Sequence, residues 1–345
     1  MQYRKKIGWW LMTGVIMIVI QVVLGGITRL TGSGLSITEW KPILGSIPPM
    51  NEADWNHAFD LYKSATGQYK YLNADFTLSD FKFIYFWEWL HRNWARFIGV
   101  VFLIPFAWFW YKRAFTAEMV PKLIALFVLG IGQGLIGWIM VKSGLTDDNL
   151  YVSHIRLAIH FVSALILLGF TFWFAMDFIV PASARQNDPR YQRWLTFIFG
   201  LLLIQLVYGA FMAGLKAASV ASTWPDINGS YFPEVILHQS WVNHPIAVHF
   251  VHRSLAYLLV LAILLLSIRS SKMGGTKLWQ KFRCIPMILV FFQVLLGIGS
   301  VLMATATRRN GFGAFEWAAQ LHQIVAMFLL LALLFQFYLV RSPKN

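Results

Sequence analysis

The stretch Glu88–Trp110 reads EWLHRNWARFIGVVFLIPFAWFW. From Phe97 onward it holds no charge. Taken with its flanks, over 84–111, it is long enough to cross a hydrocarbon core of about 30 Å as a helix. Yet its first five residues carry a carboxylate, an imidazole and a guanidinium, on Glu88, His91 and Arg92. Charged groups at membrane depth are costly and mark functional sites by default. One stretch thus predicts a membrane fold and demands a chemical reason for polar groups inside it.

The rest of the chain supplies the context. Its residues are 58% hydrophobic and only 13% charged, where soluble domains are about one quarter charged. Mean hydropathy is +0.58. Apolar runs long enough to span a bilayer lie roughly at 8–27, 84–111, 121–141, 155–180, 194–215, 246–268, 284–304 and 317–340. The expected fold class is all-α integral membrane, with eight transmembrane helices.

The net charge of +14 would suit a nucleic-acid partner if it were spread over the surface, but its distribution excludes that reading. With the N-terminus in the cytoplasm and the loops alternating, the inner segments hold sixteen basic residues, from Arg4, Lys5 and Lys6 to Arg341 and Lys344. They face only three acids, Glu118, Asp177 and Asp188. This is the positive-inside asymmetry of a protein oriented in a lipid bilayer. Both termini are expected in the cytoplasm, and a bacterial inner membrane is the simplest location. No cleavable leader is evident in MQYRKKIGWWLMTG, because a full-length span follows it. Cys284, the single cysteine, is expected as a small apolar filler.

Two patterns repeat. QVVLG (21–25), QGLIG (133–137), QLVYG (205–209) and QVLLG (293–297) are all Gln-x-x-x-Gly, on odd-numbered spans. Even-numbered spans carry His91, His160, His252 and His322 near their outer ends. Gln133 to Gln293 is 160 residues, His91 to His252 is 161, and His160 to His322 is 162. The chain therefore reads as two halves, 1–180 and 190–345, folded as two tandem parallel four-helix bundles. The glycines permit close approach of a neighbouring helix or a flat ligand. The longest connection, Gly32 to Lys82, is expected to be an ordered extracytoplasmic cap built on Trp40, Trp55 and PILGSIPP.

His57, His154, His238 and His244 fall in outer loops or at their edges and are expected to be solvated. His91 lies 21 residues before Lys112, His252 lies 17 before Arg269, and His322 lies 19 before Arg341. At about 1.5 Å per residue, the repeated histidines share one depth. Each half then offers two imidazoles across a bundle core, where cofactors are commonly held. A haem takes axial imidazoles on opposite sides of its ring. Zinc or a dinuclear centre wants three or more protein ligands. Two haem sites is the reading that results.

The halves differ. Aligning His91 with His252 sets EWLHR (88–92) on HFVHR (249–253), so Glu88 corresponds to His249. A haem that reacts needs an acid–base group, while one that only stores electrons does not. The asymmetry points to catalysis in the N-terminal half and a permanent cofactor in the C-terminal half. A plain Glu88–Arg92 ion pair at i+4 is the structural alternative. Arg92 and Arg253 stand at the rim, where haem propionates need cations. A di-haem b-type cytochrome moving electrons and a repeat-built transporter remain as other function classes.

The residues also resemble the haem A synthase family across essentially all eight spans. The most specific pieces are GGITRLTGSGLSITEWKPILGSIPP (25–49), EWLHR (88–92), RLAIH (156–160), VHR (251–253) and LHQ (321–323). The first is most like the mitochondrial and proteobacterial branch. The resemblance implies haem O as substrate, with one ring methyl oxidised through an alcohol to a formyl group. It implies a haem b held by His252 and His322, substrate haem between His91 and His160, and Glu88 as the essential acid. Haem O synthase and terminal-oxidase assembly factors are the expected protein partners, with a redox partner the sequence does not name. Some bacterial members carry cysteine pairs in outer loops; this chain has none there.

Overall fold

Every residue of a segment in lipid must satisfy its own backbone polar groups, which selects helices. The computed structural model describes residues 3–41, 44–146, 148–306 and 311–342. Pro42 and Ile43 of the expected cap, and Lys344 of the inner basic set, lie outside the described residues. Among the described residues, eight helices are long and apolar enough to cross a membrane. They are α1 (Arg4–Leu30), α2 (Leu78–Tyr111), α3 (Met119–Lys142), α4 (His154–Ile179), α5 (Pro189–Gly214), α6 (Pro245–Lys272), α7 (Ile285–Leu302) and α8 (Ala314–Leu339). The chain is thus an all-helical, multi-pass membrane protein.

Most helices outrun their apolar segments because caps, not hydropathy, set their ends. Thr77 and Asp80 form a reciprocal capping box that starts α2 six residues before the expected 84. Asp188 accepts from the Tyr191 N–H ahead of Pro189, which starts α5 early. Cys284 is exposed at the N-cap position of α7. It stands at the start of the 284–304 run, but its exposed side chain is not packed as the small filler expected.

The chain forms two compact units. One holds 17–164 and 311–313, and the other holds 3–16, 165–306 and 314–342. In the second unit α5 packs on α6, α6 on α7, α7 on α8 and α8 on α5, closing a four-helix ring. There Asp177 accepts from Tyr338 and Arg341, and Arg4 donates to its backbone carbonyl. In the first unit Phe102 of α2 stacks on Phe127 of α3 at 6.1 Å and 10°. Exposed Ile104, Val128, Ile131 and Leu135 cover α2 and α3 with the apolar surface that lipid requires.

The long connection between α1 and α2 folds as a small helical layer. It contains a 3₁₀ turn, Leu44–Ser46, and helices Glu52–Ala65 and Gly67–Leu72. Phe59, Tyr62, Phe81 and Ile84 form its buried core, with Trp55 against Phe81 and Tyr85. Trp40 instead packs on Trp138 of α3, with ring centroids 5.7 Å apart. His57 sits on the exposed face of the first of these helices, not in irregular loop.

Candidate functional site

The two repeated patterns meet. Each histidine packs against the glycine of a Gln-x-x-x-Gly helix next in sequence. A Cβ added at Gly25 would come within 3.0 Å of the His91 ring, at Gly137 within 2.9 Å of His160, and at Gly297 within 2.9 Å of His322. At Gly209 it would reach 3.4 Å from His252, which is ordinary contact. The glutamine one turn earlier aims its carboxamide at the same ring. Gln21 Nε2 lies 3.2 Å from His91 Nδ1, Gln133 Nε2 is 3.1 Å from His160 Nδ1, Gln205 Nε2 is 3.2 Å from His252 Nδ1, and Gln293 Nε2 is 3.2 Å from His322 Nε2. Sequence reasoning found both patterns but gave the glutamines no role. Their signal was the spacing itself: a polar residue four before every seat glycine.

His91 and His160 are near enough to interact electrostatically, as are His252 and His322. The rings are brought together as two pairs, one per compact unit. An iron-bound imidazole needs a free lone pair on one nitrogen and an acceptor for the other N–H. His322 Nδ1 lies 2.9 Å from the Gln293 backbone oxygen, which can only accept. The hydrogen is therefore on Nδ1 and the lone pair on Nε2. At His91 and His252 the amide nitrogens of Gln21 and Gln205 instead lie 3.2 to 3.4 Å from both ring nitrogens. The donor set, the carbonyl that orients His322 and the glycine cradles fit a porphyrin iron.

Glu88 is buried, and both its oxygens are engaged. Oε1 accepts from Arg92 at 2.5 Å, while Oε2 accepts from Ser36 Oγ at 2.7 Å and the Ile37 N–H at 2.9 Å. Arg92 also donates to the Ile37 carbonyl at 2.9 Å. The i+4 ion pair is present, and the pair pins the segment after α1 onto α2. Trp89 and Asn93 extend this grip by donating to the Ser46 carbonyl.

The corresponding residues in the other unit copy the geometry with different chemistry. His249 is fully buried and accepts from Arg253 Nε at 3.0 Å. Arg253 donates further to the carbonyls of Thr223, Pro225 and Asp226. Four of the five N–H groups of its guanidinium are used on the protein, leaving one for an outside acceptor. Asp226, in the same solvent-facing turn, is held below the usual carboxylate range by the Gly229 N–H and the Thr223 hydroxyl. His154 begins α4, His244 is the N-cap residue of α6, and His238 ends a short exposed helix.

These features define a class: a multi-pass helical membrane protein with paired imidazoles, seated on glycines, that suit porphyrin iron. Comparison with known proteins narrows it. The model of a family described as "Cytochrome oxidase assembly protein" matches residues 8–334. "Heme A synthase" of Flavobacterium johnsoniae is 38% identical over 339 residues, covering 96% of each chain. "Heme A synthase" of Novosphingobium aromaticivorans is 39% identical over 350 residues, covering 97% of this chain and 95% of its own. The chain belongs to the haem A synthase family.

Proposed function

We infer that the chain is a haem A synthase, oxidising a ring methyl of haem O through an alcohol to a formyl group. What carries this reading is the fourfold histidine seat within a chain similar over nearly its whole length to curated heme A synthases. The repeat divides it functionally into 1–180 and 190–345. Packing divides it differently, because the first turns of α1 and the second half of α4 join the C-terminal helices.

In the N-terminal half His91 and His160 take the substrate haem O. In the C-terminal half His252 and His322 hold a haem b, which supplies one-electron redox chemistry when bound. The family's haem chemistry supports this, and so does the preset Nδ1–H of His322. Glu88 is the acid–base residue. To take a proton at Oε2 it must give up one of the two donors there, the Ser36 hydroxyl, which can turn to accept, or the Ile37 N–H, so proton movement is coupled to the contacts of Ser36 and Ile37. The 31–37 segment, with Arg92, excludes water from the polar end of the site. Arg92 has N–H groups left for a propionate; Arg253 has one.

The excess of basic residues on one side supports cytoplasmic termini in a bacterial inner membrane. The layer of 44–77 is then extracytoplasmic. Haem O synthase and oxidase assembly factors are the protein partners that would deliver substrate and receive product, alongside an unnamed redox partner. Extraction and mass analysis of haems from cells supplied with haem O tests the activity: haem A must appear, and its absence overturns the assignment.

A further inference from the structure

Of the four seats, one has its glutamine amide anchored at both ends; Gln21 Nε2 also reaches the His91 backbone oxygen, at 3.2 Å, but its Oε1 has no partner. Gln133 Nε2 lies 2.8 Å from the backbone oxygen of His160. A carbonyl only accepts, so the atom facing it is the amide nitrogen. The other side of the carboxamide meets Ser163 Oγ, whose one hydrogen takes the shorter contact, Gln133 Oε1 at 2.7 Å, over the His160 backbone oxygen at 3.0 Å. The remaining N–H of Gln133 therefore points at His160 Nδ1, 3.1 Å away, and Nδ1 must present its lone pair. The hydrogen of the neutral ring is then on Nε2. In His322 the tautomer is the other one: Nδ1–H donates to the Gln293 carbonyl at 2.9 Å, and the lone pair on Nε2 faces the Gln293 amide nitrogen at 3.2 Å. In the other three glutamines Oε1 is buried with no partner, so only at Gln133 is the amide clamped from both sides.

We propose that Ser163, acting through Gln133, holds His160 in the Nε2–H tautomer and so makes it a weak, releasable ligand of the substrate iron. The proposal rests on the reading that His91 and His160 receive haem O. Ligation through Nε2 requires the hydrogen to move to Nδ1, where it would confront the Gln133 N–H. One hydrogen bond is lost and two donors are left opposed, worth about threefold to tenfold in affinity. The N-terminal site then grips its porphyrin through His91 and lets go on the His160 side. In the C-terminal site His322 already carries its hydrogen on Nδ1, the tautomer that ligates through Nε2. A substrate must leave once oxidised, and a resident cofactor must not, so the clamp lies in the half that needs exchange. Ser163 and Gln133 are positioning residues in this scheme.

The test is made on the full-length protein purified from cells supplied with haem O. Retained substrate-type haem per haem b is measured by extraction, and the spin state of the N-terminal site by optical and paramagnetic resonance spectra. Ser163→Ala should raise retained haem O about threefold to tenfold and shift the site toward low spin, while Ser163→Thr, which keeps the hydroxyl, restores the parent value. Gln133→Leu removes the opposing donor altogether and should act in the same direction, which keeps the proposal testable if Ser163→Ala folds poorly. If both variants retain haem O and spin state like the parent, the clamp is overturned. His91→Ala separates the two failures. If it loses haem O while the other variants match the parent, the clamp alone fails. If it too leaves haem O unchanged, the placement of the substrate fails.

Discussion

A methyl group on Gly297 would meet the ring of His322 at 2.9 Å, and one on Gly209 would meet His252 at 3.4 Å. The first is a collision with a stiff aromatic ring, the second an ordinary contact. Gly297→Ala should therefore displace His322 and lower the haem-to-protein ratio several-fold, while Gly209→Ala should keep it close to the parent. Equal effects of the two substitutions would contradict the seat geometry. Glu88 sets the other residue-level question, because its ion pair with Arg92 is real and its chemistry is proposed. Glu88→Gln should keep the C-terminal haem b and stop or strongly slow conversion of haem O, with the alcohol accumulating. Arg92→Gln leaves the carboxylate in place and should lose stability, by about 1–3 kcal/mol, while still converting substrate. If chromatography of extracted haems finds both variants equally active and equally destabilised, Glu88 serves structure alone.

At the scale of elements, the layer between α1 and α2 stands on its aromatic core. Tyr62 is fully buried; its hydroxyl donates to Gln68 Oε1 at 3.1 Å and accepts from Asn73 Nδ2 at 2.9 Å. Burial, the largest cause, pushes its phenol up to about 12 from 10.0. A raised folded pKa gives stability that is complete below the unfolded value and lost as pH rises through the folded one. The layer should thus loosen between pH 10 and about 12, read as faster proteolysis within Glu52–Leu72. Tyr62→Phe should remove that alkaline step, and its persistence would place the titration elsewhere. What the sequence made legible here was the requirement for order: a long connection rich in aromatic residues. Its helices were not legible, because their capping residues, Asn51 and Thr66, are ordinary loop residues until the N–H groups they cap are known.

At the scale of the whole molecule, the eight spans and the histidine repeat were readable because each is a pattern along one chain. Hydropathy marks a span without any partner, and a spacing of 161 residues needs no structure. The meeting of Gln133 with His160 and Ser163 was not readable, since it depends on which helices pack and which way a carboxamide turns. The exchange of Glu88 for His249 beside a kept arginine was readable from the aligned motifs, but the contacts that Arg92 and Arg253 make with them were not. That exchange is the physical basis for assigning conversion to one half and a resident haem to the other. The most direct test is a haem inventory of the parent, His91→Ala and His322→Ala, each purified from cells supplied with haem O, with O, alcohol, A and b forms separated by chromatography. The account predicts haem A and haem b with the parent, haem b without conversion in His91→Ala, and loss of haem b in His322→Ala. Full haem A production by His91→Ala, or an unchanged haem b ratio in His322→Ala, would contradict it.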